Sequence, residues 1–193
     1  RSFGTVLHDR RYVCYVLQMA FAQGVLFANI ASSPFIVQQH YGFSPLAFSL
    51  CFGVNAMSIG VSAALSVKFH RPESCTLVGC CGMAVSSVLQ CAALMSGCGF
   101  WLYEALMLVL LFSMGMTFTS STALAMESQR ENSGTASALL GAVCFAAGGI
   151  VSPLVGMGNI LSSTGIVFVV CAFCSLVCIL VALGRRRTRL YFA

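Results

Sequence analysis

Residues 165–183 read GIVFVVCAFCSLVCILVAL, and residues 184–189 follow as GRRRTR. A helix needs roughly 20 apolar residues to cross a bilayer, so this run is one crossing. The Arg185-Arg186-Arg187-Thr188-Arg189 run directly after it reads as a stop-transfer anchor held at the cytoplasmic surface rather than as a nucleic-acid patch. The same reading extends outward along the chain. No ionised side chain lies between Arg11 and Lys68 or between Glu131 and Arg185, and each gap has room for two crossings and a turn. Gln38 to Pro45 punctuates the first gap, and Gly156-Met157-Gly158-Asn159 with Ser162-Ser163 punctuates the second. Ser96-Gly97-Cys98-Gly99 separates two further crossings on either side. The predicted spans are about 12–37, 46–67, 75–95, 100–126, 134–157 and 163–184. Strands of a membrane barrel would alternate apolar and polar over about ten residues, and these runs are apolar throughout. The expected class is an all-α integral membrane domain of six transmembrane helices.

Composition agrees. The 193 residues are 59% hydrophobic and 8% charged, with a net charge of +5 and a mean hydropathy of +0.92. Soluble domains carry about 25% charged residues, so a soluble or disordered chain and a nucleic-acid binder are excluded. Counting the crossings alternately puts all ten Lys and Arg residues on one side. They are Arg1, Arg10, Arg11, Lys68, Arg71, Arg130, Arg185, Arg186, Arg187 and Arg189. The positive-inside rule makes that side cytoplasmic and leaves both termini there, in a plasma membrane of bacterial inner-membrane type. A wrong span count would have scattered these residues over both sides. The first residue is Arg1 in a basic segment with no secretory pattern after it, which predicts a chain entered from a cytoplasmic linker.

Polar residues inside spans are costly in hydrocarbon and are expected to face a protein interior or a water-filled cavity. Asn55, Ser58, Ser62 and Ser66 form one stripe on the second span, at spacings of three and four residues. Gln18, Gln23, Asn29, Ser32 and Ser33 mark the first span, and Ser113, Thr117, Thr119, Ser120, Ser121 and Thr122 the fourth. Packing between helices is the alternative use for these groups. The third and sixth spans are nearly free of polar residues and are expected to face lipid. In the fifth span Gly134, Ala138, Ala142 and Ala146 recur every four residues, joined by Gly141, Gly148 and Gly149, a pattern that permits close helix approach. Pro34 and Pro153 each sit near the outer end of a span, where a proline frees a carbonyl one turn back; bent ends of this kind point to gates in transporters.

Residues suited to chemistry are sparse. Glu104 is the one acid placed inside a span, with two readings: a proton relay, or an interfacial carboxyl group beside Trp101 and Tyr103 within reach of water. Most of the eleven cysteines lie in apolar runs and read as small hydrophobes. His8, His40 and His70 fall on opposite sides and cannot pair across a haem, which argues against a membrane redox protein. No phosphate loop and no pair of membrane acids is present, so no enzyme, metal or cofactor is expected.

Two stretches carry a family resemblance. Thr119 to Met126, a short charged loop and then Ser133-Gly134-Thr135-Ala136-Ser137-Ala138-Leu139-Leu140-Gly141 resemble the tenth and eleventh helices of major facilitator transporters, and more narrowly the Bcr/CflA group of drug:proton antiporters. Ser33-Pro34-Phe35-Ile36-Val37 with Tyr41-Gly42, and Phe52 with Asn55-Ala56, are similar to that group's seventh and eighth helices. Gly148 to Leu154 resembles a Gly-x-x-x-Gly-Pro-Leu motif of the eleventh helix, with Ser152 in place of the second glycine. Thr122 stands where the group usually has Asn, and Lys68 to Pro72 is a degenerate form of the superfamily's loop motif.

The resemblance implies the C-terminal half of a twelve-helix transporter: a six-helix 3+3 inverted repeat whose partners are the lipid bilayer, an N-terminal six-helix half, protons and a small amphipathic substrate. It implies multidrug efflux by proton-coupled antiport through alternating access. It also assigns the first, second, fourth and fifth spans to a central cavity and the third and sixth to lipid. On this reading Gln23, Asn29, Asn55, Ser58 and Thr117 face the cavity, with Met114 and Phe145 as apolar walls. A truncated, non-transporting module that pairs with another half is the alternative.

Overall fold

The computed structural model describes residues 2–191. Arg1 lies outside the described residues, as do the side chains of Arg185, Arg186, Arg187 and Arg189. The elements are α1 (Ser2–His8), α2 (Arg10–Pro34) continued by a π-helical turn (Phe35–His40), α3 (Pro45–Ser66), α4 (Pro72–Met95), α5 (Phe100–Glu127), a 3₁₀ turn (Arg130–Asn132), α6 (Ser133–Val155) and α7 (Ile160–Tyr191). Six of these segments are long and apolar enough to cross a membrane, and no strand occurs among the described residues, so the chain is a multi-pass membrane protein. The short α1 was not foreseen; its Val6 is buried near α6 in the same apolar cluster as Ala136.

Local chemistry sets the helix starts. The Asp9 carboxylate accepts from the amides of Arg11 and Tyr12 and caps α2. Ser44 caps α3 through the Ala47 amide ahead of Pro45, and Pro72 opens α4 at the position where its missing N–H costs nothing. Gly42, Gly97 and Gly158 turn the chain with positive φ in the three loops that carry no basic residue.

The packing follows the repeat. α4 lies on α5 as α7 lies on α2; α3 lies on α5 as α6 lies on α2; α4 meets α7, and α2 meets α5. Exchanging the first three spanning helices for the last three maps these contacts onto themselves, with chain direction across the membrane reversed. This is the 3+3 inverted-repeat arrangement that the resemblance implies. α2, α4, α5 and α7 form the core, where helices approach closely at small residues. A Cβ on Gly79 would lie 2.8 Å from the Ser113 carbonyl, and one on Gly24 would lie 3.0 Å from Cys171 Sγ.

The third and sixth spans are α4 and α7, and each keeps an exposed apolar side, with Val85 and Leu89 on the one and Val170 and Val177 on the other. α4 and α7 each bury one side in the core, including Gln90, Ser87, Ser175 and Phe168. The least buried helices are α3 and α6, because each rests on a single central helix.

Candidate functional site

Three helices contribute to one open wall. α2 presents Gln23, Phe27 and Ile30 at spacings of four and three residues, so they share a face. From α6 Phe145, 70% exposed, meets the Phe27 ring edge-on at 5.9 Å. From α5 come Phe118 and Thr122; the Thr122 hydroxyl lies 3.6 Å from the Met19 sulfur, one turn before Gln23. Gln23 Oε1 is buried behind this face and has no protein partner. Aromatic faces with one amide and one hydroxyl suit a flat apolar molecule carrying a polar group. Gln23 and Phe145, two of the residues expected to face a cavity, lie on this wall with Phe27 and Phe118, which the sequence reading did not single out. The four-residue step from Gln23 to Phe27 was the available signal.

The other predicted cavity residues lie elsewhere. Asn55 is buried between α3 and α5, and Ser58 donates to the Leu108 carbonyl of α5 at 3.1 Å. The α3 stripe is therefore a seam, closed where Gly115 of α5 leaves room for Ile59 and Ser62. Thr117 packs against Gly79 of α4, and its hydroxyl donates to Met114 O at 2.7 Å. Met114 lies within the apolar core, and Asn29 is buried with Oδ1 unpartnered. These five do not line the open wall. In hydrocarbon, intramembrane polarity is answered by a neighbouring helix as readily as by a cavity. Most hydroxyls are satisfied within their own helix, as Ser113 on Val109 O and Ser120 on Met116 O show.

Glu104 is 8% exposed, and its carboxyl group takes a hydrogen bond from Asn55 of α3. The rings of Tyr41, Phe43, Phe100 and Tyr103 gather beside it, with Tyr41 and Tyr103 centroids 5.6 Å apart. Glu104 Oε1 and Asn55 Oδ1 have no partner, and no basic residue pairs with Glu104 among the described residues.

Of the predicted packing and gating residues, Gly148 makes a close approach: a Cβ there would lie 2.6 Å from Phe27 Cε2. A Cβ on Gly134, Gly141 or Gly149 would meet nothing of this chain within 4 Å. Ala138 and Pro153 are exposed too, so the small-residue stripe of α6 points away from the bundle. Pro34 ends α2 and passes into the π-helical turn, with Ser32 donating back to Ala28 O at 2.8 Å. Ser152 likewise donates to Gly148 O at 2.9 Å beside Pro153.

At the basic end, Arg11 lies 4.0 Å from Glu73 and 3.8 Å from Glu127, tying α2 to α4 and α5. A cleft of 720 Å³ opens beside them, lined by His70, Arg71, Glu73, Glu127 and Arg130. Partial burial pushes the Asp9 carboxyl up, but hydrogen bonds from Gln129, Ser128 and the Arg11 and Tyr12 amides outweigh it and hold the group below its ordinary value of 3.8. The folded state therefore binds this proton less tightly than the unfolded chain. The stabilisation is complete above the unfolded value and is lost as the pH falls through the folded one. Asp9→Asn is expected to lower the melting temperature at neutral pH, and the gap to wild type should narrow as the pH falls progressively below the ordinary value of 3.8.

Comparison with known proteins agrees with this architecture. The family profile described as Major Facilitator Superfamily matches residues 1–153. The "Uncharacterized MFS-type transporter YdgK" of Bacillus subtilis (strain 168) is 33% identical over 163 residues, which make up 82% of this chain and 40% of that protein. The chain thus spans about 40% of the length of the curated relative it matches.

Proposed function

The chain belongs to the major facilitator superfamily, and we propose on that premise that it is the C-terminal six-helix half of a proton-coupled efflux antiporter for small amphipathic compounds, corresponding to helices seven to twelve. The observation that carries this reading is the pair of uncovered helices. α3 and α6 cross the membrane with one side on the bundle and the other free. On α6 the free side is the stripe of Gly134, Ala138, Ala142 and Gly149, beside Phe145. Lipid tails need no such groove, whereas a second helix seats closely against small residues. An N-terminal half docked there would close the open wall into a cavity.

In this mechanism the two halves rock about the midplane. Gln23, Phe27, Phe118 and Phe145 hold the substrate by apolar contact and one amide hydrogen bond, and Glu104 carries the proton. Cytoplasmic placement of the basic end and of both termini, in a plasma membrane of bacterial inner-membrane type, follows from the positive-inside rule. The Bcr/CflA likeness of the Gly134-Thr135-Ala136-Ser137 element narrows the substrate class to drug-like compounds.

The test is transport by the full-length protein in proteoliposomes under an imposed pH gradient, followed with a fluorescent lipophilic cation. Movement that stops when the gradient is collapsed is the expected result. No movement, with the protein folded and correctly inserted, would overturn the antiporter reading and leave a non-transporting module that pairs with another half.

A further inference from the structure

Gln18 of α2 is fully buried and donates to Ser175 Oγ of α7 at 3.0 Å and to Cys80 Sγ of α4 at 3.4 Å. Three helices thus converge on one polar point, bonded through the Gln18 Nε2 donor while Gln18 Oε1 stays unpartnered. Asn29 follows Gln18 by eleven residues on α2, and Thr164 precedes Ser175 by eleven on α7, which runs the other way. On α4, Gln90 and Cys91 follow Cys80 by ten and eleven. Eleven residues make about three turns with some 20° left over and advance about 16 Å, so these residues return to the same meeting line one level farther from the basic end. The backbones meet there as well: a Cβ on Gly165 would lie 3.0 Å from Cys91 Cα.

At this second level the polar atoms have no protein partner. Asn29 Oδ1, both amide atoms of Gln90 and Thr164 Oγ1 are all unpaired, with Ser33 Oγ one turn beyond. Each of these residues is at least nine-tenths buried. Orphaned polar groups at membrane depth are costly, and helical spacing brings these five to adjoining turns of one meeting line, where a common partner would satisfy them. The set mixes donors with acceptors and carries no charge, which disfavours a metal cation or an anion. A small neutral molecule that both donates and accepts fits it.

We propose that Asn29, Gln90 and Thr164 hold internal water between α2, α4 and α7, in the half of the membrane away from the basic end. This site is separate from the open wall and does not depend on the antiporter reading. It divides the packing of α7 against α2 and α4 into a level bonded side chain to side chain at Gln18 and a hydrated level at Gln90.

Two measurements on the full-length protein in lipid nanodiscs decide it. Radiolytic hydroxyl labelling in ¹⁸O-water should oxidise Leu94, one turn from Gln90, several-fold faster than Leu110, Leu111 and Leu124, leucines that are equally buried. Equal, background-level labelling of all four would overturn the proposal. Gln90→Met keeps the bulk and removes both amide atoms. With water bound it should lower the melting temperature, because Asn29 and Thr164 lose a bridged partner. A melting temperature equal to or above wild type would mean that Gln90 is a dry orphan, and the site would be refuted.

Discussion

Gly115→Ala is expected to lower the melting temperature further than alanine at any other glycine of α3, α5 or α6. The added Cβ would overlap Ser62 Oγ and stand 2.7 Å from the Ile59 carbonyl and 3.1 Å from Ile59 Cα. Ser62 can rotate, but a helix backbone cannot, so α3 must back away from α5. Forced overpacking of this kind costs about 1–3 kcal/mol. Here the displacement also strips Ser58 of Leu108 O and separates Asn55 from Glu104. Alanine at Gly53 or Gly141, where a Cβ meets nothing within 4 Å, supplies the control. Thermal melts of the three variants in one detergent check the point; indistinguishable curves would mean that α3 does not seat on α5 as described.

Glu104→Gln is expected to abolish transport driven by a pH gradient while leaving substrate binding in place, with at least a tenfold fall in initial rate. The amide has nearly the carboxyl's shape and can keep the contact with Asn55, but it cannot take up and release a proton. A buried carboxyl group with one neutral partner and no cation nearby is the arrangement in which a proton is the natural counter-charge. Binding of a fluorescent substrate at equilibrium separates lost coupling from lost folding. Full gradient-driven transport by the variant would remove Glu104 from the mechanism.

The residues differ in how well their roles could be read in advance. Glu104 was visible as an intramembrane acid beside Trp101 and Tyr103. Its actual partner, Asn55, lies on another helix and leaves no mark in local sequence. The α3 stripe was correctly periodic, but periodicity cannot say whether a polar face meets water or a glycine such as Gly115. On α6 the small-residue stripe was equally clear, and its direction, outward, was not.

The amino-acid sequence alone determined the number of crossings and the end at which the basic residues gather. A charge in hydrocarbon costs kilocalories at its own position, so each segment declares itself without reference to the rest. Tertiary structure alone decided which side of each helix faces inward. Lipid tails are as apolar as a packed core, so a membrane helix has no strong hydrophobic gradient across it to set its rotation. That rotation depends on where Gly115, Gly79 and Gly148 let a neighbour approach, and those fits exist only between helices far apart in the chain.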